Sequence, residues 1–280
     1  MTTGHLLCAG MGYTASRLAR RLRAKGWSVI GTSRDGRNGT RRLSRDHPLD
    51  AGAFAGVTHV LTSIPPDIKG DILLDLHRGD LAALPDLRWI GYLGTTAVYG
   101  DCAGGWVDEE TPTRPTIDRA RRRESAERAW IESGLPVHVF RLAGIYGPGR
   151  NALASLLGGT ARRIVKPGQM FSRIHVDDIV QVLLASIDRP DPPRVYNVCD
   201  DEPAPPQDVV AFAAALLGIE PPPEQPFETA DLSPMARTFY ADNRKVRARR
   251  IRDELGVRLL HPTYRDGLRA ILQDSGPAGQ

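Results

Sequence analysis

Cysteine is scarce: the 280 residues contain only Cys8, Cys102 and Cys199, far apart and with no CxxC pair. An odd, scattered set of thiols suggests neither a disulfide framework nor a zinc ribbon, and a reducing cytoplasm is the expected compartment. No apolar run approaches the roughly 18 to 20 residues that cross a bilayer. The N-terminus also lacks a basic segment leading into an apolar stretch and cleavage site, so neither a membrane-spanning nor a secreted protein is expected. Lysine is nearly absent, supplying four of the 37 basic residues against 33 acidic ones. The excess is small and the acids are interspersed, whereas nucleic-acid binding would need the charge gathered on one face. What is present, 41% hydrophobic residues with 28 Gly and 22 Pro, is the composition of a folded chain of one large domain or a domain with an appended lobe.

Apolar clusters and their breakers predict a strand at Leu6–Ala9, a helix at Tyr13–Lys25 and a strand at Trp27–Thr32, a βαβ opening. Further strands are predicted at Val57–Ser63, Leu87–Gly94 and Val137–Leu142, with helices at Ile72–Leu84 and Arg119–Glu132. This alternation predicts a parallel sheet covered on both faces by helices. After Gly147 the rhythm loosens: a basic strand at Arg162–Lys166, a helix at Asp177–Ile187, a strand at Arg194–Val198 and a helix at Gln207–Leu217. Pro221–Pro226 reads as a linker, and helices near Asn243–Leu255 and Tyr264–Leu272 close the chain. There is no internal repeat.

The first strand runs into its helix through Gly10-Met11-Gly12-Tyr13-Thr14-Ala15, a GxGxxA string in the context that gives it meaning. Gly10 permits a tight turn, Gly12 removes the side chain that would hold a pyrophosphate away from backbone N–H groups, and Ala15 lets helix and strand pack closely. The helix N-terminus adds partial positive charge. Dinucleotide choice falls at the end of the second strand, Gly31-Thr32-Ser33-Arg34. Ser33 and Arg34 can bond a 2′-phosphate, while Asp35 comes late for the ribose, so NADP(H) is expected over NAD.

Five ordered segments carry a resemblance: Gly94-Thr95-Thr96-Ala97-Val98-Tyr99-Gly100-Asp101, Arg141 to Gly149 (RLAGIYGPG), Arg173 to Asp178 (RIHVDD), Tyr196-Asn197-Val198, and the basic Arg247–Val257 helix ending in ELGV. Together they make the chain resemble the extended short-chain dehydrogenase/reductases, the NAD(P)-dependent epimerase/dehydratase superfamily. The resemblance implies a Rossmann-type doubly wound parallel sheet, residues 1–147 with segments near 174–200, and a smaller substrate lobe from 148–173 and 201–280. It also implies Ser63 and Pro65 beside the adenosine half, Thr95 holding a substrate oxygen near the nicotinamide, and hydride transfer on a small carbonyl or hydroxyl compound, sugar-like included. Homodimerisation is the family expectation.

The departures are as informative. Counting back from Glu127, the family's YxxxK tyrosine and lysine fall on Arg119 and Arg123. Arg123 can serve a ribose, but Arg119 cannot exchange protons near neutral pH. Tyr146 and Tyr99 are the nearest replacements, with Tyr146 taken as the catalytic candidate. Thr96 and Ala97 stand where dehydratases carry Asp-Glu, and Phe171 where many sugar-nucleotide members carry a base, so both chemistries are disfavoured. Arg150, Arg173 and Arg237 are possible anion contacts. His175 reads as a packed residue opening a helix capped by Asp177 or Asp178, and no metal constellation is visible. The combination resembles the atypical, YeeZ-like members of the superfamily. It leaves two readings, an NADP-dependent oxidoreductase or epimerase and a catalytically inactive NADP(H)-binding redox sensor.

Overall fold

A computed structural model describes residues 3–190 and 194–274. In chain order the elements are β1 (His5–Ala9), α1 (Tyr13–Arg23), β2 (Ser28–Ser33), β3 (Arg41–Arg42), β4 (His59–Thr62), α2 (Ile72–Ala82), β5 (Trp89–Thr95), β6 (Trp106–Val107), α3 (Asp118–Ile131) and β7 (Val137–Leu142). Then follow β8 (Gly144–Tyr146), α4 (Ala152–Leu157), β9 (Arg163–Val165), β10 (Arg173–His175), α5 (Val176–Ile187), β11 (Arg194–Val198) and α6 (Pro206–Leu217). The last elements are β12 (Glu224–Pro226), α7 (Pro234–Thr238), β13 (Lys245–Val246), α8 (Arg250–Asp253) and α9 (Tyr264–Asp274). Seven strands form one sheet in the order β11-β7-β5-β4-β1-β2-β3, every neighbouring pair parallel. This is the doubly wound Rossmann-type arrangement that the alternation predicts. Among the described residues no helix is long and apolar enough to cross a membrane.

The sheet is apolar on both faces because its side chains alternate. Leu6 and Cys8 of β1, Trp89 and Leu93 of β5 and Phe140 and Leu142 of β7 pack on one side with Leu18 and Leu22 of α1 and Ile179 and Leu183 of α5. Leu7, Ala9, Ile90, Tyr92, Val137 and Val139 pack on the other with Leu73 and Leu81 of α2 and Trp130 of α3. Period-two alternation on strands buried on both sides is what a parallel sheet requires. A third cluster, Tyr146, Leu153, Val209, Ala213, Tyr264, Leu268 and Ile271, joins α4, α6 and α9.

Two expectations fail. Lys245–Val246 pairs as a strand with Trp106–Val107, so the expected 243–255 helix survives only as Arg250–Asp253. The reason is tertiary: the Asn243 carbonyl accepts from Cys102 and Gly104 N–H, its side chain bridges Met170 N–H and Gly168 C=O, and pinned backbone overrides local helical preference. Likewise Glu224–Pro226, read as linker, pairs with Arg163–Val165, reinforced by an Arg163–Glu224 ion pair at 2.7 Å. Proline is tolerated there because the pair is short and lies at an edge.

Candidate active site

The family-like segments converge first on a buried polar network. Arg141 of β7 binds Glu127 of α3 through Nη2 and Oε1 at 2.5 Å, and its Nη1 donates to the Tyr99 hydroxyl at 2.9 Å. Tyr99 in turn donates to Asn197 Oδ1 at 2.7 Å, and Asn197 Nδ2 reaches the Arg247 carbonyl at 3.0 Å. Four motifs distant in sequence are thereby tied together under the carboxyl ends of the strands. Burial pushes the Tyr99 hydroxyl up to about 12, with Arg141 opposing. Tyr99 is therefore a buried strut whose donor and acceptor are both engaged.

The glycine loop is held by Thr32 and Ser63. Gly10 N–H donates to Thr32 Oγ1 at 3.0 Å, Met11 N–H to the Thr32 carbonyl at 2.8 Å, and Ser63 Oγ to the Gly10 carbonyl at 2.7 Å. Gly10 has φ of 90°, and a Cβ there would lie 2.8 Å from Ser63 Oγ, so the turn demands glycine. Gly12 is the N-cap of α1 at φ −88°, and no side chain caps the helix. A Cβ on Gly12 would meet nothing within 4 Å. An open approach to uncapped helical N–H groups fits a pyrophosphate.

From this point a cleft of about 960 Å³ runs along the strand ends. It brings together Gly12, Tyr13, Thr14, Ala15, Ser63, Pro65, Thr95, Arg123 and Tyr146. Thr95 caps the turn after β5, its Oγ1 accepting from Ala97 N–H at 3.2 Å. Arg123 projects from α3 and donates to the Leu93 carbonyl at 2.9 Å. Gly10, Met11, Ser33 and Arg34 are not among the residues that line the cleft. Ser33 Oγ engages Thr40 at 2.7 Å and Asp35 at 3.1 Å, and Asp35 pairs with Arg37, so this acid is tied into its own turn. Arg34 is exposed, and strand register sets Arg42 opposite Ser33.

Tyr146 lines the cleft, but its hydroxyl points into the C-terminal lobe. It donates to the Thr263 carbonyl at 3.4 Å and fills the space left by Gly267, where a Cβ would collide with it. Burial raises its pKa strongly, and nearby Asp200 and Asp178 add to this. The hydroxyl is thus occupied away from the cleft. The segment after α7 supplies residues that no motif signals. Tyr240 stands on the cleft wall against Phe171, ring centroids 5.5 Å apart. Its hydroxyl makes no hydrogen bond within the described residues, burial raises its pKa, and Arg173 pulls the other way. Arg119 stacks over Phe239 at 5.0 Å. Arg150, Arg162, Arg173 and Arg244 also line the cleft, and Arg237 does not. A stretch with no element-forming pattern and no glycine string gives sequence reasoning nothing to hold.

His175, Asp177 and His261 come together with potential ligand atoms within 4.8 Å. His175, not Asp177 or Asp178, caps α5, its Nδ1 accepting from Asp177 N–H at 3.2 Å. Arg17 lies 3.9 Å from Asp177, and Asp178 accepts from Leu260 and His261 N–H at 2.6 and 3.1 Å. A guanidinium beside the single carboxylate of the trio disfavours a cation there.

No family model matches the chain. Protein YeeZ of Escherichia coli K12 is 30% identical over 237 residues, 76% of this chain and 84% of YeeZ. A solved structure of a conserved protein of unknown function from Silicibacter pomeroyi is 54% identical, with a TM-score of 0.90 over 97% of this chain and 99% of that one. A structure from Methylobacillus flagellatus, named for the NAD-dependent epimerase/dehydratases, shares the fold at 24% identity and a TM-score of 0.74 over 98% of this chain and 99% of that one. The glycine loop, the parallel sheet and the relationship to YeeZ agree, and the chain belongs to the atypical extended short-chain dehydrogenase/reductases of the NAD(P)-dependent epimerase/dehydratase superfamily.

Proposed function

We propose that the protein is an NADP(H)-dependent oxidoreductase or epimerase acting on a small carbonyl or hydroxyl compound. The observation that carries this reading is the uncapped N-terminus of α1, open at Gly12, continuing without interruption into a cleft that reaches Thr95. The N–H groups of Tyr13, Thr14 and Ala15 would hold the pyrophosphate, with Ser63 and Pro65 on the adenosine side and Arg123 at the nicotinamide ribose. Ser33 and Arg34, with Arg42 alongside, would take the 2′-phosphate; guanidinium–phosphate pairs are strong charge-assisted bonds. When bound, the nicotinamide supplies or takes a hydride.

Thr95 accepts from Ala97 N–H, which leaves its own proton to donate to a substrate oxygen. Arg119 cannot move a proton at neutral pH, and the Tyr146 and Tyr99 hydroxyls are occupied. Among the described residues Tyr240 is the titratable hydroxyl on the wall without an internal partner, and Arg173 beside it favours its anion, so Tyr240 is assigned the acid/base role. The redox-sensor reading is favoured by a single feature, arginine at both YxxxK positions. A crystal structure of the NADPH complex tests the assignment. The expected result is the pyrophosphate on Gly12 and the Tyr240 and Thr95 hydroxyls facing nicotinamide C4. A C4 atom with no titratable side chain on its substrate side would refute the enzyme and leave the sensor.

A further inference from the structure

We propose that the substrate carries a carboxylate on an aromatic or apolar body, the carboxylate held by Arg173 and the body by Phe171 and Tyr240. This rests on the coenzyme reading of the same cleft and adds to it the class of molecule that fills the other half.

The charge balance of the cleft comes first. Six guanidinium groups line it, and the one carboxylate among the lining residues is Asp242. Asp242 is already engaged, by Thr116 Oγ1 at 2.6 Å and Arg244 Nη1 at 3.2 Å. Arg123 is committed to the Leu93 carbonyl and Arg162 to the Asp231 carbonyl. Arg150 belongs to the coenzyme end, where its charge acts on Tyr13 of the glycine loop, and Arg119 is exposed to solvent over the Phe239 ring.

Arg173 is different. It opens β10, sunk in the cleft wall, and its Nη1 is fixed by the carbonyls of Phe171 at 2.8 Å and Ala204 at 3.0 Å. Its Nε–Nη2 edge makes no hydrogen bond, and it forms no ion pair, among the described residues. Asp200 is the acid whose field acts most on it, but the two side chains form no hydrogen bond or ion pair among the described residues. Burial lowers the pKa of Arg173, but a guanidinium remains charged at neutral pH. A desolvated cation held by two carbonyls and no ion pair is costly, and an incoming carboxylate offsets that cost. With Nη1 occupied, the free edge has the two-donor geometry that meets both oxygens of a carboxylate.

The surroundings decide the rest of the molecule. Phe171 and Tyr240 form an edge-to-face pair at 77°, and Ile164, Met170 and Leu232 continue the wall. An aromatic or apolar body fits such a surface, with the charged end anchored at one point.

The test compares cinnamate with cinnamamide, alike in shape but differing in charge, by calorimetric titration of the native protein saturated with NADP⁺. Cinnamate is expected to bind about 10- to 100-fold more tightly, the value of a charge-assisted pair in a partly dry site, and Arg173→Met to remove the difference without changing the Kd for NADP⁺. The isostere comparison uses native protein, so misfolding of the variant would not obscure it. Equal affinity for the two probes, no binding of either, or tighter binding of phenyl phosphate than of cinnamate would overturn the proposal while normal NADP⁺ binding left the coenzyme reading intact. Failure of NADP⁺ to bind would overturn that reading instead, and the same probe comparison on the coenzyme-free protein then decides the carboxylate preference.

Discussion

Replacing Gly12 by aspartate should make the protein more stable and unable to hold its coenzyme. Gly12 is the N-cap of α1, in an extended conformation any residue adopts, with no neighbour within 4 Å of an added Cβ and no capping side chain. An aspartate fits without displacement and accepts from the first helical N–H groups. Relative to glycine, the cap contributes a few tenths of a kcal/mol, and the negative charge at the positive end of the helix dipole about 0.3–1 kcal/mol more. The sum, about 0.5–1 kcal/mol, raises Tm by about 1–3 °C in a chain of this size. The same carboxylate occupies the donors a pyrophosphate would use and sets like charges about 4 Å apart. At an effective dielectric constant of about 20 this is about 4 kcal/mol, or roughly a 1000-fold rise in Kd. Thermal unfolding and NADPH fluorescence titration of Gly12→Asp measure the two effects. A variant that is stabilised yet binds NADPH with native affinity would refute the placement of the pyrophosphate on α1.

Arg34→Ala should weaken NADPH by about tenfold, one charge-assisted contact, and leave NADH unchanged; an equal loss for both coenzymes would remove Arg34 from the 2′-phosphate site. In a turnover assay, Tyr240→Phe should lower kcat by about 10²- to 10⁴-fold with the NADPH Kd unaltered, whereas Tyr146→Phe, losing one 3.4 Å bond in the lobe, should keep kcat within a few fold. The reverse order would return the acid/base role to Tyr146. Glu127→Ala strands the buried Arg141 charge and should cost about 3–5 kcal/mol in urea unfolding. A loss below 1 kcal/mol would mean that the pair behaves as a surface one. Burial lowers His59 and His175 to about 4 from 6.5. Between these values the unfolded chain binds protons that the folded chain does not, so this part of the stability is complete above pH 6.5 and is lost as pH falls toward 4. A Tm that holds constant across that window would contradict their buried, neutral state.

The sheet is legible because its strands carry the information in themselves. Leu6 to Ala9 and Val137 to Leu142 are apolar on both faces, bounded by breakers, and recur in a βαβ rhythm that permits few topologies. The glycine loop is legible for a related reason: turn, close approach and helix start are local events written in consecutive residues. The distal half of the cleft is not local. Asn243 leaves the helix its neighbours favour because the 102–104 turn and residues 168–170 claim its polar atoms, and that displacement carries Tyr240 onto the wall. The direction of the Tyr146 hydroxyl depends on the absence of a side chain at Gly267. Tyr99, Arg141 and Asn197 stand out as motif residues, yet their role is to bond one another in the dry interior. They hold the scaffold together, and the proposed acid/base residue, Tyr240, comes from the segment after α7.

Whether the amino end of α1 receives a dinucleotide pyrophosphate is decided by calorimetric titration of the native protein with NADPH and with NADH. One site per chain is expected, with NADPH bound more tightly than NADH. No heat with either coenzyme at millimolar concentration would remove the pyrophosphate from α1, and a tenfold preference for NADH would overturn the assignment of Ser33 and Arg34.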